Sequence, residues 1–143
     1  MQQYIGTKII NAKPMNRLEY NQFRGWELPA DENGADEVFL VEYVDGGQAN
    51  TSEFAGYISW SPSEVFENAY KSSGNLSIGD AIVYLGKGYT VTRKIWKEQN
   101  LYLRQIEIDG VTSIVLIAKD DNHMQVFHAQ HHDLIANDYV INF

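Results

Sequence analysis

Residues 76–96 constrain the fold more than any other stretch, because they predict a complete helix followed by a strand. Ser77 is a favourable N-cap residue, and Asp80, three positions later, can complete a capping box. Gly86 or Gly88 can then end the helix in a left-handed conformation. Apolar residues between these signals recur at helical spacing, which predicts one buried face. They are Ile78, Ala81, Ile82 and Leu85.

The strand that follows this helix should end in a cluster of cations around one tryptophan. Residues 89–92 favour extended backbone, and Arg93, Lys94 and Lys97 then surround Trp96. Cations beside a flat ring suit an anionic ligand that also contains a ring. The alternative is an ordinary core tryptophan beside solvated lysines, which composition alone favours.

The first half of the chain predicts three strands and two helices. Strands are expected over 3–10, 38–44 and 57–60, with the last two paired. A helix over 15–23 should begin with Asn16 as its cap and Glu19 three residues later. A second helix, reaching about residue 70, should begin with Ser61 as N-cap, Pro62 at its first position and Glu64 at its third.

The second half predicts an antiparallel sheet of about five strands beside the capped helix. Asp109-Gly110 between 101–108 and 111–118 is the strongest hairpin signature in the chain. A short strand over 124–127, one helical turn within 128–134 and a closing strand over 138–143 complete this half. We therefore predict an α+β protein with two small subdomains, 1–73 and 74–143, joined at the small polar segment 71–75.

Composition excludes several classes of function. The absence of cysteine excludes disulfides, thiolate metal sites and cysteine catalysis. A net charge of −8 disfavours a long nucleic acid as partner, since that binding needs many cations. The sequence contains neither a membrane-spanning apolar run nor a leader with the pattern of a signal peptide, so we expect no membrane partner and a cytoplasmic location.

Catalytic and metal-binding patterns are weak. His128, His131 and His132 would share one helical face beside Asp133, but the zinc-protease pattern HExxH is absent, and we predict no metal site. Neither the GxSxG motif nor a phosphate-binding loop occurs in the sequence. We therefore assign no catalytic residue and no cofactor, and we predict a protein that is not an enzyme.

Three blocks of the second half resemble a known family in order and separation. They are IGDAIVYLGKG at 78–88, VTRKIW at 91–96, and Phe127 followed by QHHDLIANDYVI at 130–141. This pattern resembles the second Thoeris anti-defence family of phage proteins. The first half, with RGWELPADENGADEVFLVEYVDGG and YISWSPSEVFENAY, is similar to an accessory segment of phage and prophage proteins.

The resemblance implies a binding protein rather than an enzyme. Members of that family sequester a glycocyclic ADP-ribose signal made by bacterial TIR-domain enzymes, and some also bind cyclic dinucleotides in separate pockets. They form homotetramers that hold the ADP-ribose ligand between subunits. The resemblance therefore implies a small cyclic nucleotide ligand, a tetrameric homo-oligomer and a location in the cytoplasm of the infected bacterial host.

The resemblance also implies roles for individual residues. Trp96 matches the tryptophan that stacks on the ligand, Phe127 takes the place of a second aromatic, and Asp138 matches an acid of the closing motif. On physical grounds, Arg93 or Lys97 could contact a diphosphate. The complete predicted ligand site is Arg93, Trp96, Lys97, Asn100, Tyr102, Phe127 and Asp138.

Two other functions stay open at this point. One is a phage structural or protein-interaction module that binds no ligand. The other is a small nucleotide hydrolase. A binding protein would release its nucleotide intact on denaturation, a hydrolase would release a product, and an interaction module would never remove the nucleotide from solution.

Overall fold

The computed structural model describes residues 1–142. The chain divides into two compact units, Met1–Tyr70 and Lys71–Phe143, called here the N-terminal and the C-terminal unit. Their assignment as domains with a boundary after residue 73 stays a prediction. Within residues 1–142, none of the helices is long and apolar enough to cross a lipid bilayer.

The N-terminal unit contains a three-stranded antiparallel sheet and two helices. The sheet has the order β1-β2-β3. The strands are β1 (Ile10–Asn16), β2 (Glu37–Tyr43) and β3 (Tyr57–Pro62), and the helices are α1 (Arg17–Arg24) and α2 (Ser63–Ala69). One buried cluster of this unit joins α1 to the sheet and consists of Tyr20, Leu40 and Ile58.

The start of α1 confirms the predicted capping box. The Glu19 amide donates to Asn16 Oδ1 at 2.8 Å, and the Asn16 amide donates to Glu19 Oε2 at 2.8 Å. Two backbone donors that the helix leaves unpaired are thereby satisfied. Gly25, with φ of 69°, ends the helix in the left-handed conformation.

The predicted strand over 3–10 is wrong. The first strand is Ile10–Asn16, paired with β2 in a register that sets Ile10 opposite Tyr43 and Asn16 opposite Glu37. It includes Pro14, which an edge strand tolerates because its missing amide donor can face away from the neighbouring strand. Pairing with β2 therefore outweighs the strand propensity of the preceding residues.

The predicted start of the second helix is also wrong. Strand β3 continues through Pro62, which lies opposite Val38, so Ser61 belongs to the strand. Helix α2 begins at Ser63 without a side-chain cap. The pattern Ser-Pro-x-Glu is typical of a helix start, but here its first two residues, Ser61 and Pro62, pair with β2 in the sheet.

The C-terminal unit confirms the predicted fold class. It contains a five-stranded antiparallel sheet of order β7-β6-β5-β4-β8 with α3 beside it. Its strands are β4 (Thr90–Arg93), β5 (Leu101–Ile108), β6 (Val111–Ala118), β7 (Met124–Val126) and β8 (Tyr139–Asn142), and its α-helices are α3 (Ile78–Gly86) and α4 (His131–Leu134). The last residue of the predicted closing strand lies outside the described residues.

The central hairpin matches its prediction. Strands β5 and β6 pair along their length, from Leu101 opposite Ala118 to Ile108 opposite Val111. The two turn residues both have positive φ, 50° for Asp109 and 78° for Gly110. These values fit the tight turn whose twist matches that of the flanking strands.

Helix α3 begins as predicted and buries Ala81 and Leu85 of the predicted face, but not Ile82. Its capping box joins Ser77 and Asp80, and Gly88 adopts φ of 93° after its end. The buried residues are Ala81, Tyr84 and Leu85, whereas Ile82 is 47% exposed. The prediction that Ile82 lies in the core is wrong. The buried face of α3 includes Tyr84 instead.

Replacing Ser77 with alanine should destabilise the C-terminal unit by about 1 kcal/mol. The Ser77 hydroxyl accepts from the Asp80 amide at 3.2 Å and donates to Asp80 Oδ2 at 2.7 Å, so the substitution removes both hydrogen bonds. Denaturant unfolding measures the loss. The matched control is Ser72→Ala, the same change at an exposed residue outside the helices. Equal losses in both variants would contradict the capping role.

Candidate ligand-binding site

Trp96 lies in a short 3₁₀ helix, Lys94–Gln99, that directly follows β4. Its side chain is 9% exposed and makes two edge-to-face ring contacts. The ring centroids lie 5.9 Å from Phe127 and 6.4 Å from Tyr139. Trp96 is therefore packed into the C-terminal unit, and only a small part of the indole faces solvent.

The exposed part of Trp96 borders a recess of about 460 Å³, called here the lysine recess. Its volume is within the range of small-molecule sites. The recess lies beside the 3₁₀ helix that connects the end of β4 to the start of β5. Its lining includes Trp96, Lys97, Asn100, Tyr102, Lys119 and Asn142.

Two cations reach this recess from different parts of the chain. Lys97 belongs to the 3₁₀ helix, and Lys119 follows the last residue of β6. The Lys119 amide donates to the carbonyl oxygen of Asn100 at 3.0 Å, which fixes the two segments side by side. Within residues 1–142, neither lysine forms an ion pair with a carboxylate. Both ammonium groups are thus available to an anionic ligand.

Neutral polar groups also line the lysine recess, beside its aromatic and apolar side chains. Asn142 Nδ2 donates to Thr90 Oγ1 at 3.2 Å, and the Thr92 hydroxyl donates to the Leu101 carbonyl at 2.6 Å. Asn100 Nδ2 donates to Asp120 Oδ1 at 3.1 Å. These contacts hold the side chains in place while leaving further hydrogen-bonding capacity toward hydroxyl groups of a ligand.

A second recess, of about 320 Å³, lies against another part of Trp96 and is called here the histidine recess. Aromatic and apolar side chains line it together with amide, imidazole and carboxylate groups. Its lining includes Trp96, Phe127, His128, Gln130, His132 and Asp133. Trp96 therefore belongs to the lining of both recesses.

Arg93 lies in the interior, beside two carboxylates. It is 5% exposed, and its Nε donates to Asp138 Oδ1 at 2.8 Å while Nη1 donates to Asp133 Oδ1 at 2.7 Å. Burial works to lower the pKa of Arg93, but hydrogen bonds and charge attraction from the two carboxylates outweigh burial and raise the pKa. The guanidinium is thus permanently charged and already paired.

Tyr139 completes this buried polar group. Its hydroxyl donates to the main-chain carbonyl of Asp133 at 3.0 Å. Burial raises the pKa of Tyr139 to about 12, so the hydroxyl stays protonated and keeps donating at physiological pH. Asp133 Oδ2 in turn accepts from the Gln130 amide at 2.8 Å at the start of α4.

The structure brings the predicted site residues together in three groups. The first, in the lysine recess, is Trp96, Lys97, Asn100 and Tyr102. Phe127 lies in the histidine recess in contact with Trp96, and Arg93 and Asp138 pair with each other and line neither of these two recesses. A role for all seven residues in binding a ligand stays a prediction.

Lys119 is the main site residue that sequence reasoning missed. The hairpin register contained the necessary information, because pairing Leu101 with Ala118 places Lys119 beside Asn100. Thr90 and Asn142 were also missed. They meet only when β8 pairs with β4, a contact between residues 52 positions apart.

The histidines of the second half do not gather into a metal cluster. His132 Nε2 lies 3.6 Å from Asp133 Oδ1. In the part of the chain that the structure describes, no group of three or more histidine or acidic side chains is placed to hold a metal ion.

The comparison with family models matches the region that contains this site. Residues 76–141 match the Tad2-like family, described as a Thoeris anti-defense 2-like domain. The resemblance predicted from three sequence blocks is thereby confirmed for the C-terminal part of the chain. The Tad2-like region includes Trp96, both lysines of the lysine recess and the buried Arg93 group.

The family description indicates an anti-defence role for the Tad2-like region. Such a role is consistent with a non-catalytic protein. No curated protein and no solved structure matches the chain.

Proposed function

We propose that this protein is a phage anti-defence protein that binds and sequesters a cyclic ADP-ribose-type immune signal without cleaving it. The observation that carries the proposal is the lysine recess, in which two ammonium groups without an ion pair in residues 1–142 face a partly aromatic, hydroxyl- and amide-lined cavity. The recess lies within the Tad2-like region except for Asn142, so chemistry and family description point to the same surface.

The recess matches the chemical parts of such a ligand. Lys97 and Lys119 contact the diphosphate, since charge-assisted hydrogen bonds are roughly twice as strong as neutral ones. Asn100 and Asn142 bond the ribose hydroxyls, and the rings of Trp96 and Tyr102 border the base. Amide and hydroxyl side chains recognise the sugar without a group that must gain or lose a proton.

Sequestration requires slow release, and this requirement supports an oligomer as part of the proposal. Lys97, Asn100 and Lys119 are all exposed at the mouth of the recess. A neighbouring subunit that covers the mouth would slow ligand release, on which affinity mostly depends. We therefore include in the proposal a homotetramer in the host cytoplasm, with the ADP-ribose ligand between subunits.

Incubating the purified protein with glycocyclic ADP-ribose tests the proposal. The nucleotide should disappear from the filtrate and return with unchanged mass after heat denaturation. Return as a cleaved product would support the hydrolase instead. A nucleotide that never leaves solution would support the interaction module, and either result would overturn the proposed function.

Replacing both Lys97 and Lys119 with alanine should weaken nucleotide binding by about 100-fold or more. Each charge-assisted contact contributes about 1.5–3 kcal/mol, so each lysine accounts for about tenfold or more in affinity. Isothermal titration calorimetry measures the change. The matched control is Lys94→Ala, since Lys94 lies on the same 3₁₀ helix but donates to Asn75 Oδ1 and lines neither recess. Equal losses in control and double variant would show that the recess is not the binding site.

A further inference from the structure

The buried group around Arg93 connects three segments of the C-terminal unit that are distant in sequence. Arg93 ends β4, Asp133 belongs to α4, and Asp138 directly precedes β8. The two ion pairs span 40 and 45 positions of the chain. A main-chain hydrogen bond from the Lys94 amide to the Asp138 carbonyl, 3.1 Å long, joins the same segments.

The guanidinium of Arg93 also lies against two aromatic rings. Its central carbon is 5.6 Å from the ring centroid of Trp96 and 5.4 Å from that of Tyr139. These distances fit cation–π contacts, which are stronger when the cation is desolvated. Arg93 therefore contacts the indole while its nitrogens hold the two carboxylates.

We infer that Arg93 is a positioning residue that fixes the orientation of Trp96 through the Asp133 and Asp138 ion pairs. It acts on the nucleotide site through the indole that lines both recesses, and it does not contact the ligand. This role differs from the diphosphate contact predicted from the sequence. The effect on affinity rests on the proposed function, whereas the orientation of Trp96 is a property of the protein alone.

Arginine suits this role for geometric reasons. Its planar guanidinium carries several donors in a fixed fork, so Nε and Nη1 can reach different carboxylates while the flat face stays against a ring. Lysine carries a point charge on a flexible stem and cannot hold both acceptors and the ring contact in one geometry. An Arg93→Lys substitution should therefore keep the charge and lose the fixed orientation.

The experiment uses the full chain with Trp26→Phe and Trp60→Phe, so that Trp96 is the remaining tryptophan. In this background, Arg93→Lys should raise acrylamide quenching of Trp96 fluorescence about twofold. It should also weaken binding of glycocyclic ADP-ribose about tenfold, with the salt dependence of binding unchanged. An arginine that contacts the diphosphate and does not position the indole would instead leave Trp96 quenching unchanged while nucleotide binding still weakens, because lysine keeps the charge but loses the paired hydrogen bonds. This second pattern would overturn the inference.

Lys97→Ala is the comparison variant, since it removes a cation of the lysine recess. It should reduce the salt dependence of binding and leave Trp96 quenching unchanged. Asp138→Asn is a milder second variant, which keeps an acceptor for Arg93 Nε and should raise quenching by a smaller amount. Unchanged quenching in both Arg93→Lys and Asp138→Asn would refute positioning. If neither the wild-type protein nor the background protein binds the nucleotide, the proposed function fails while the quenching result still decides the role of Arg93.

Discussion

Replacing Asp133 with alanine should destabilise the C-terminal unit by about 3–5 kcal/mol, because it leaves the buried Arg93 charge with one partner removed. Asp133 accepts from Arg93 Nη1 and also from the Gln130 amide, so the same substitution removes the cap of α4. Denaturant unfolding followed by Trp96 fluorescence, in the background with Trp26→Phe and Trp60→Phe, measures the loss. The chain has two units, so the transition must be assigned to the C-terminal one before a free energy is calculated.

The neighbouring residue provides the control. The His132 side chain is 67% exposed, and His132→Ala should change the free energy of unfolding by no more than about 0.5 kcal/mol. The loss of unfolding free energy in Asp133→Asn should fall between those of Asp133→Ala and His132→Ala, since the asparagine amide keeps hydrogen-bonding capacity but not the charge. An Asp133→Ala loss as small as that of His132→Ala would show that Arg93 does not depend on this carboxylate.

Replacing Trp96 with alanine should cost about 3–5 kcal/mol of stability, the range for truncating a large buried aromatic. The indole packs against Phe127 and Tyr139, and the substitution would leave a cavity between the two recesses. Thermal unfolding of the C-terminal unit measures the effect. Ile95→Ala, at a 58% exposed neighbour on the same 3₁₀ helix, should cost much less.

The expected loss of stability in Trp96→Ala affects how the ligand site is tested. Loss of nucleotide binding in Trp96→Ala would reflect both the missing ring and a loosened unit, so Trp96→Phe is the more informative change. Phenylalanine keeps a ring against Phe127 and Tyr139. A Trp96→Ala loss no larger than that of Ile95→Ala would contradict the buried packing described above.

Local signals in the sequence predicted the local structure well. The capping boxes of Asn16 and Ser77 and the turn at Asp109-Gly110 each depend on residues within four positions of one another. Such patterns satisfy backbone donors or require positive φ through residues that are close in sequence. The predictions that depend on them are confirmed by the structure.

Predictions failed where a distant strand decided the outcome. The first strand lies at Ile10–Asn16 because it pairs with β2, and Ser61 remains in a strand because Phe39 lies opposite it. The spacing of apolar residues also predicted that Ile82 lies in the core, although Tyr84 is buried and Ile82 is exposed. In each case tertiary contact outweighed a valid local preference.

The candidate site was only partly predictable for the same reason. Lys97 and Asn100 follow Trp96 directly in sequence, so their grouping needed no tertiary information. The engagement of Arg93 by carboxylates 40 and 45 residues away could not be inferred from spacing. Sequence reasoning therefore identified Arg93 and Lys97, missed Lys119, and could not distinguish an exposed cation from one enclosed in the interior.

The segment before the Tad2-like region has a structural role in the sheet. The Ile141 amide donates to the Ser73 carbonyl, and Leu76 forms a two-way bridge with Tyr139, so residues 73–76 cover the outer side of β8. A truncation at the first matched residue would remove the Ser73 partner and uncover part of that outer strand. Uncovered strand edges recruit other chains, so a fragment of this region prepared for study should start at Lys71 to avoid self-association.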